Sequence, residues 1–139
     1  MSQLIQKLEW EDKYSVGVKI IDDQHRQMFD TINQLISAVS SSPTEEVVTN
    51  IISSLVEYKK FHFATEEKYF KEFNYEGAAE HIAQHQLFND KLSALVEKCG
   101  ADYMVLAFEL VDFLEDWLID HLLTVDQAYK ECFQSHGLK

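Results

Sequence analysis

Residues 62–70 read HFATEEKYF, and the reading of this stretch decides the fold. His62 and Glu66 are four apart, so on a helix they share a face, one turn from each other. The flanking residues tell where that face points. Val48, Ile51, Ile52, Leu55 and Tyr58 lie upstream on the same helical stripe, and Tyr69 and Phe73 continue it downstream. A His and a Glu that continue an apolar stripe point into a core, where each needs a partner.

Working outward, the break "SSSP" precedes this helix. Ser42 and Glu45 have the spacing of a capping box, with Pro43 at the first helical position. The helix is expected over about 43–73, ending around "NYEG". An earlier helix is expected over about 22–40, capped by Asp22 or Asp23. Its stripe is Met28, Phe29, Ile32, Leu35, Ile36 and Val39, and His25 lies on it. A third helix, about 78–99, has His81, His85, Phe88, Leu92, Leu95 and Cys99 on one stripe, with Gly100 placed to cap it. A fourth, about 102–132, has Leu106, Leu110, Leu114, Trp117, Leu118, His121 and Val125. Four long helices with short connections predict an all-α, antiparallel up-down-up-down four-helix bundle. It forms one domain over 1–139, with residues 1–20 as an irregular arm that packs Trp10 and Tyr14 on the body.

Composition narrows the function classes. The net charge is −12 and the 12 basic residues are scattered, which excludes a nucleic-acid groove and an anionic membrane surface as partner. No apolar run reaches the length of a membrane span, and the first residues have no signal-peptide core. Cys99 and Cys132 have no C-x-x-C spacing and read as small buried thiols in a reducing compartment, so a cytoplasmic protein is expected, and with no apolar stripe left over, a monomer.

Five of the six histidines fall on inward stripes. In an antiparallel bundle the start of helix one (His25), the end of helix two (His62, Glu66), the start of helix three (His81, His85) and the end of helix four (His121, Asp126) share one end. A single inward histidine is ordinarily a core residue satisfied by a carbonyl. Seven buried polar groups at one level are different, because uncompensated burial costs on the order of several kcal/mol per charged group. A bound cation removes that cost. Seven ligands exceed the four of a structural zinc, so two ions fit, with the carboxylates bridging. If both are octahedral, five imidazoles, two bridging carboxylates and a bridging oxide or hydroxide leave one position open. A nitrogen-rich site of this kind suits redox iron, and manganese, zinc and copper stay open on ligand chemistry alone. His121 and Asp126 are five apart, about 140° around a helix, so a single wide π-type turn, or a swing of the Asp side chain, is expected to align them.

The segments "DDQHRQMF", "HFATEE", "HIAQH" and "HLLTVD" carry a lone His, H-x-x-x-E, H-x-x-x-H and H-x-x-x-x-D in order. This pattern resembles the hemerythrin family, specifically its single-domain bacterial members, with every ligand position filled. The resemblance implies a non-haem di-iron centre, oxo- or hydroxo-bridged, that binds O2 reversibly. It assigns His81, His85 and His121 to one iron and His25 and His62 to the iron with the open position. Glu66 and Asp126 bridge. Trp117 and Leu118, about one turn before His121, are placed to roof the open site as an O2 pocket that slows water entry. Glu67 reads as a solvated carboxylate and His136 as a surface residue. A carrier or store of O2, not an enzyme, is the leading expectation, with an unknown oxygen-consuming protein as recipient. An oxygen or redox sensor acting through a partner, or a di-iron enzyme handling peroxide or nitric oxide, are the alternatives. Five neutral histidines disfavour high-valent chemistry and so favour reversible binding.

Overall fold

A computed structural model of the chain describes residues 7–41, 43–99 and 102–139. Among these, the long elements are all helices: α1 (Lys19–Val39), α2 (Glu45–Glu72), α3 (Ala78–Cys99) and α4 (Tyr103–Leu123), followed by the short α5 (Lys130–Ser135). Single 3-10 turns lie at Asp12–Tyr14 and Asp126–Tyr129. The fold is an all-α four-helix bundle, as the stripes imply. No helix among the described residues is long and apolar enough to cross a membrane.

The helix starts differ from the sequence reading at two places. α2 opens at Glu45 with Thr44 as its cap, whose hydroxyl accepts the Val47 N–H at 3.3 Å. Pro43 therefore precedes the cap instead of opening the helix. Ser42 and Gly100, expected as caps, lie outside the described residues. α1 starts at Lys19, a turn before Asp22. Asp22 does not cap the helix. Its buried carboxylate accepts from the Ser15 hydroxyl at 2.5 Å and the Val16 N–H at 2.9 Å. The arm's backbone enters the core here and needs an acceptor, and Asp22 supplies it. Asp102 does cap α4, accepting the Val105 N–H at 3.1 Å.

The arm packs on the body. Trp10 meets Tyr14 and Phe29 edge-to-face, with centroids 5.7 and 5.5 Å apart, and the Arg26 guanidinium lies over the Trp10 ring. Gly17 adopts φ +69°, and a Cβ there would come within 2.2 Å of the Gln134 amide nitrogen. That nitrogen donates to the Gly17 carbonyl, so glycine lets the arm close against α5. Cys99 and Cys132 are unpaired and half-buried, less enclosed than expected. His136 is exposed and stacks on Phe73.

The core falls into two apolar clusters. A larger one runs through Phe29, Ile32, Leu35, Leu110, Leu114 and Leu118. A smaller one joins Val16, Val18, Ile21, Phe70, Tyr129 and Phe133. Along each chain segment the inward ionisable groups fall between them: His25 between Ile21 and Met28, and Glu66 between Phe63 and Phe70. A polar layer thus lies across the bundle, sealed by apolar residues on both sides.

Candidate metal centre

All seven expected side chains meet in that layer, and each is at most 4% exposed. α1 supplies His25, α2 supplies His62 and Glu66, α3 supplies His81 and His85, and α4 supplies His121. Asp126 comes from the 3-10 turn after α4. The wide turn expected before it is absent. α4 stops at Leu123, and Thr124 leaves helical geometry at φ −120°, ψ −71°. Stepping out of the helix cancels the angular mismatch between His121 and Asp126. The Leu122 carbonyl freed by the break accepts from the Gln127 amide at 3.1 Å, and the same amide donates to the Ser15 carbonyl of the arm.

The ligand-type atoms fall into two groups whose members lie within 4.8 Å of one another: Glu66, His81, His85 and His121, and His25, His62, Glu66 and Asp126. Nε2 of His85 is 3.1 Å from Glu66 Oε1, and Nε2 of His62 is 3.4 Å from the same oxygen. Asp126 Oδ1 is 2.9 Å from His121 Nε2 and 3.1 Å from His81 Nε2, while Oδ2 is 3.1 Å from His25 Nε2. Two pairs of imidazole nitrogens, His25–His62 and His81–His121, approach to 3.0 and 3.1 Å. Adjacent ligands around an ion with bonds of about 2.1 Å are separated by about 3 Å, the same spacing. Neither Asp126 oxygen accepts a well-formed hydrogen bond although both are buried. Lone pairs converging on one another at this distance, with buried carboxylate oxygens left over, fit a pair of cations.

The far nitrogens explain the ring orientations. His62 Nδ1 donates to the Gln24 amide oxygen at 2.7 Å, and Gln24 is held in turn by the Thr65 hydroxyl. His85 Nδ1 lies 2.9 Å from the Glu67 carboxylate. Each bond fixes the proton on Nδ1 and leaves the Nε2 lone pair for the centre. Glu67, read from sequence as solvated, is thus a partner of His85. It is part-exposed, but its carboxylate reaches across to α3. Tyr129 donates to Glu66 Oε2 at 2.6 Å. Gln24 and Tyr129 were not assigned roles by the motif; adjacency to His62 and Glu66 in three dimensions, not in spacing, identifies them.

Aromatic faces enclose one group. Phe63 stacks on His85 at 3.7 Å, Trp117 on His121 at 4.2 Å, and Phe70 leans on His81 at 4.8 Å. Trp117 therefore contacts the three-histidine group through His121, where the sequence reading set it as a roof over the open site. The ring turns toward His121 because the two are one helical turn apart on α4. Leu118 is 2% exposed and belongs to the larger apolar cluster.

Without a cation the layer must hold protons. Burial opposes charge on His81, but contacts with the Asp126 and Glu66 carboxylates outweigh it and push the imidazole up to about 9. Burial pushes His62 down to about 4. Burial and the neighbouring Asp126 charge oppose ionisation of Glu66, yet the surrounding imidazoles hold it below the usual carboxylate range. Asp126 is likewise held low, the His121 charge overcoming its burial. Burial, then the two carboxylates, push the Tyr129 phenol up, so it stays a donor.

Residues 16–133 match the family model described as "Hemerythrin HHE cation binding domain". A bacteriohemerythrin of Stenotrophomonas maltophilia is 32% identical over 131 residues, covering 93% of this chain and 83% of that protein. A myohemerythrin of Sipunculus nudus is 27% identical, covering 87% of this chain and 89% of its own length. A solved wild-type hemerythrin superposes with a TM-score of 0.73 at 26% identity, covering 90% of this chain and 96% of that one. With the motif order, the buried layer and these matches in agreement, the chain belongs to the hemerythrin family.

Proposed function

We propose that this chain binds O2 reversibly at a non-haem di-iron centre, as a carrier or store and not as an enzyme. The observation that carries the reading is the asymmetry of the layer. Three imidazoles, His81, His85 and His121, gather on one side. Two, His25 and His62, stand on the other. Glu66 and Asp126 lie between. In this reading His81, His85 and His121 would hold one iron and His25 and His62 the other, with Glu66 and Asp126 shared between them, and the side with fewer histidines would take O2. Two ferrous ions supply the two electrons that O2 takes up and returns.

The chain's own residues do the rest. Gln24 and Glu67 keep the Nδ1 protons of His62 and His85 in place, so the Nε2 atoms of these two rings face the centre. Tyr129 anchors Glu66 through Oε2. Leu118 and the apolar cluster around it exclude water from the layer and so slow irreversible oxidation. Neutral nitrogen donors favour the lower oxidation states, which suits binding over oxygen activation. A cytoplasmic monomer that passes O2 to a consuming protein completes the proposal.

The test is an optical titration of iron-loaded protein, made anaerobic, exposed to air and deoxygenated again, with iron counted per chain. The expected result is a ligand-to-iron(III) band that appears with air and disappears on deoxygenation, at two irons per chain. A band that appears once and decays to a ferric form overturns the carrier reading in favour of a sensor. Steady turnover of peroxide or nitric oxide makes it an enzyme. Iron well below two per chain after full loading overturns the di-iron assignment.

A further inference from the structure

Beside the metal layer, α2 and α3 leave a groove of about 720 Å³ open to solvent. Val56, Leu92 and Val96 give it apolar walls. Lys59 lines it as well, and this lysine is 6% exposed, unusual for its type. Its ammonium accounts for none of the ion pairs among the described residues. What surrounds it is the Asn89 side-chain oxygen and the faces of Phe63 and Phe88, whose centroids lie 5.8 and 5.3 Å away. An ammonium carries three donors. One meets Asn89, and two have only ring faces. Burial, with the Lys60 charge beside it, lowers the Lys59 pKa, as expected of a cation that lacks a counter-ion.

We propose that this groove binds a medium-chain aliphatic monocarboxylate, with its carboxylate on Lys59 and its alkyl chain along Val56, Leu92 and Val96. Three observations select that class. The buried ammonium needs an anionic acceptor, and a carboxylate forms the shorter, stronger charge-assisted bond. The walls are apolar along α2 and α3, which suits a hydrocarbon tail and not a sugar or nucleotide. The remaining charged lining, Lys60 with Glu67 and Glu97, together with the chain's net charge of −12, disfavours a multiply charged anion, while a monoanion is paired by Lys59. The position has a consequence. Phe63 and Glu67 line the groove on one side and touch His85 on the other. An occupant therefore contacts the two groups that orient one imidazole of the layer.

The experiment is calorimetric titration of the metal-loaded protein with octanoate, 1-octanol and acetate. Octanoate has both charge and chain, octanol the chain alone, and acetate the charge alone. The expected result is one saturable octanoate site per chain, with octanol and acetate each at least tenfold weaker. Lys59→Met keeps the length of the side chain and removes its charge. It should weaken octanoate at least tenfold and leave octanol unchanged. Val96→Trp fills the groove from an exposed position, and so provides a second variant that does not touch the buried core; it should abolish both. Absence of saturable octanoate binding, equal binding of octanoate and octanol, or full octanoate affinity in either variant overturns the proposal. Metal counted in the same samples separates these outcomes from any failure of the di-iron reading.

Discussion

His85 and His62 both flank Glu66 and both aim Nε2 at it, yet their far nitrogens are held by different chemistry. His85 meets a carboxylate, Glu67, at 2.9 Å, and its ring lies flat under Phe63. His62 meets a neutral amide, Gln24, at 2.7 Å, and its ring stands edge-on to His25. The same contrast runs through the two halves of the layer. On the three-histidine side Phe63, Trp117 and Phe70 press on the imidazoles. On the two-histidine side His62 is held by a hydrogen bond, and His25 Nδ1 has no partner among the described residues. An anionic acceptor makes an imidazole a stronger donor to a cation, and flat ring contacts remove its freedom to turn. One half is thus packed rigidly around its imidazoles. The other holds His62 by a hydrogen bond to a neutral amide.

The largest expected effect erases the contrast. Glu66 belongs to both groups, so Glu66→Ala should lose both ions, not one, when iron is counted after loading. A variant that keeps two irons would break the idea that the halves share this residue. Next is Leu118→Ala. Truncation of a side chain this buried costs about 2–5 kcal/mol. Leu110→Ala, equally buried but about 12 Å farther along the helix, should cost a similar amount. Only the Leu118 variant should speed oxidation to the ferric form; equal oxidation rates in both would make Leu118 simple packing.

The protons of the metal-free layer give a third test. His81 titrates at about 9 in the folded chain, above its ordinary value of 6.5. Its contribution to the stability of the metal-free fold is therefore complete below about 6.5 and lost as pH rises toward 9. A metal must displace that proton, so metal affinity should climb with pH up to about 9, by up to about tenfold per unit, and then level off. Competition with a chelator at several pH values reads this directly, and a flat profile would refute the proton-for-metal exchange. The fourth test separates the halves. Loss of an outer partner commonly weakens retention by about 10–100-fold. Glu67→Ala should do so for the ion on the His85 side, and Gln24→Ala for the ion on the His62 side. Two-step metal release should then show a different step accelerated in each variant; the same step in both would contradict the division. The smallest effect is Tyr129→Phe. It leaves one buried Glu66 oxygen without its donor, which costs about 1–3 kcal/mol and lowers the thermal midpoint by several degrees. An unchanged midpoint would mean that another donor takes over.

Much of this architecture was readable in one dimension. Helical periodicity places His25, His62, Glu66, His81, His85 and His121 on inward stripes, because a stripe of period 3.6 reports which face is buried. Antiparallel order then brings them to one end, since short connections allow no other arrangement. What the stripes could not report is anything off the helical lattice. Asp126 reaches the layer because α4 breaks at Thr124, and a break depends on where freed carbonyls find donors, here Gln127. Periodicity also assigns Glu67 to the solvent side, but its long side chain bends to an imidazole on the next helix. Trp117 could be placed near His121 by spacing, whereas its rotation onto that ring is a matter of packing. The sequence by itself thus determined the helices, their order and the set of inward ligand-type residues, because these follow from local periodicity. Only the tertiary structure decided which nitrogen each histidine presents, what holds it there, and how the arm and α5 close over the layer, because those depend on contacts between segments far apart in the chain.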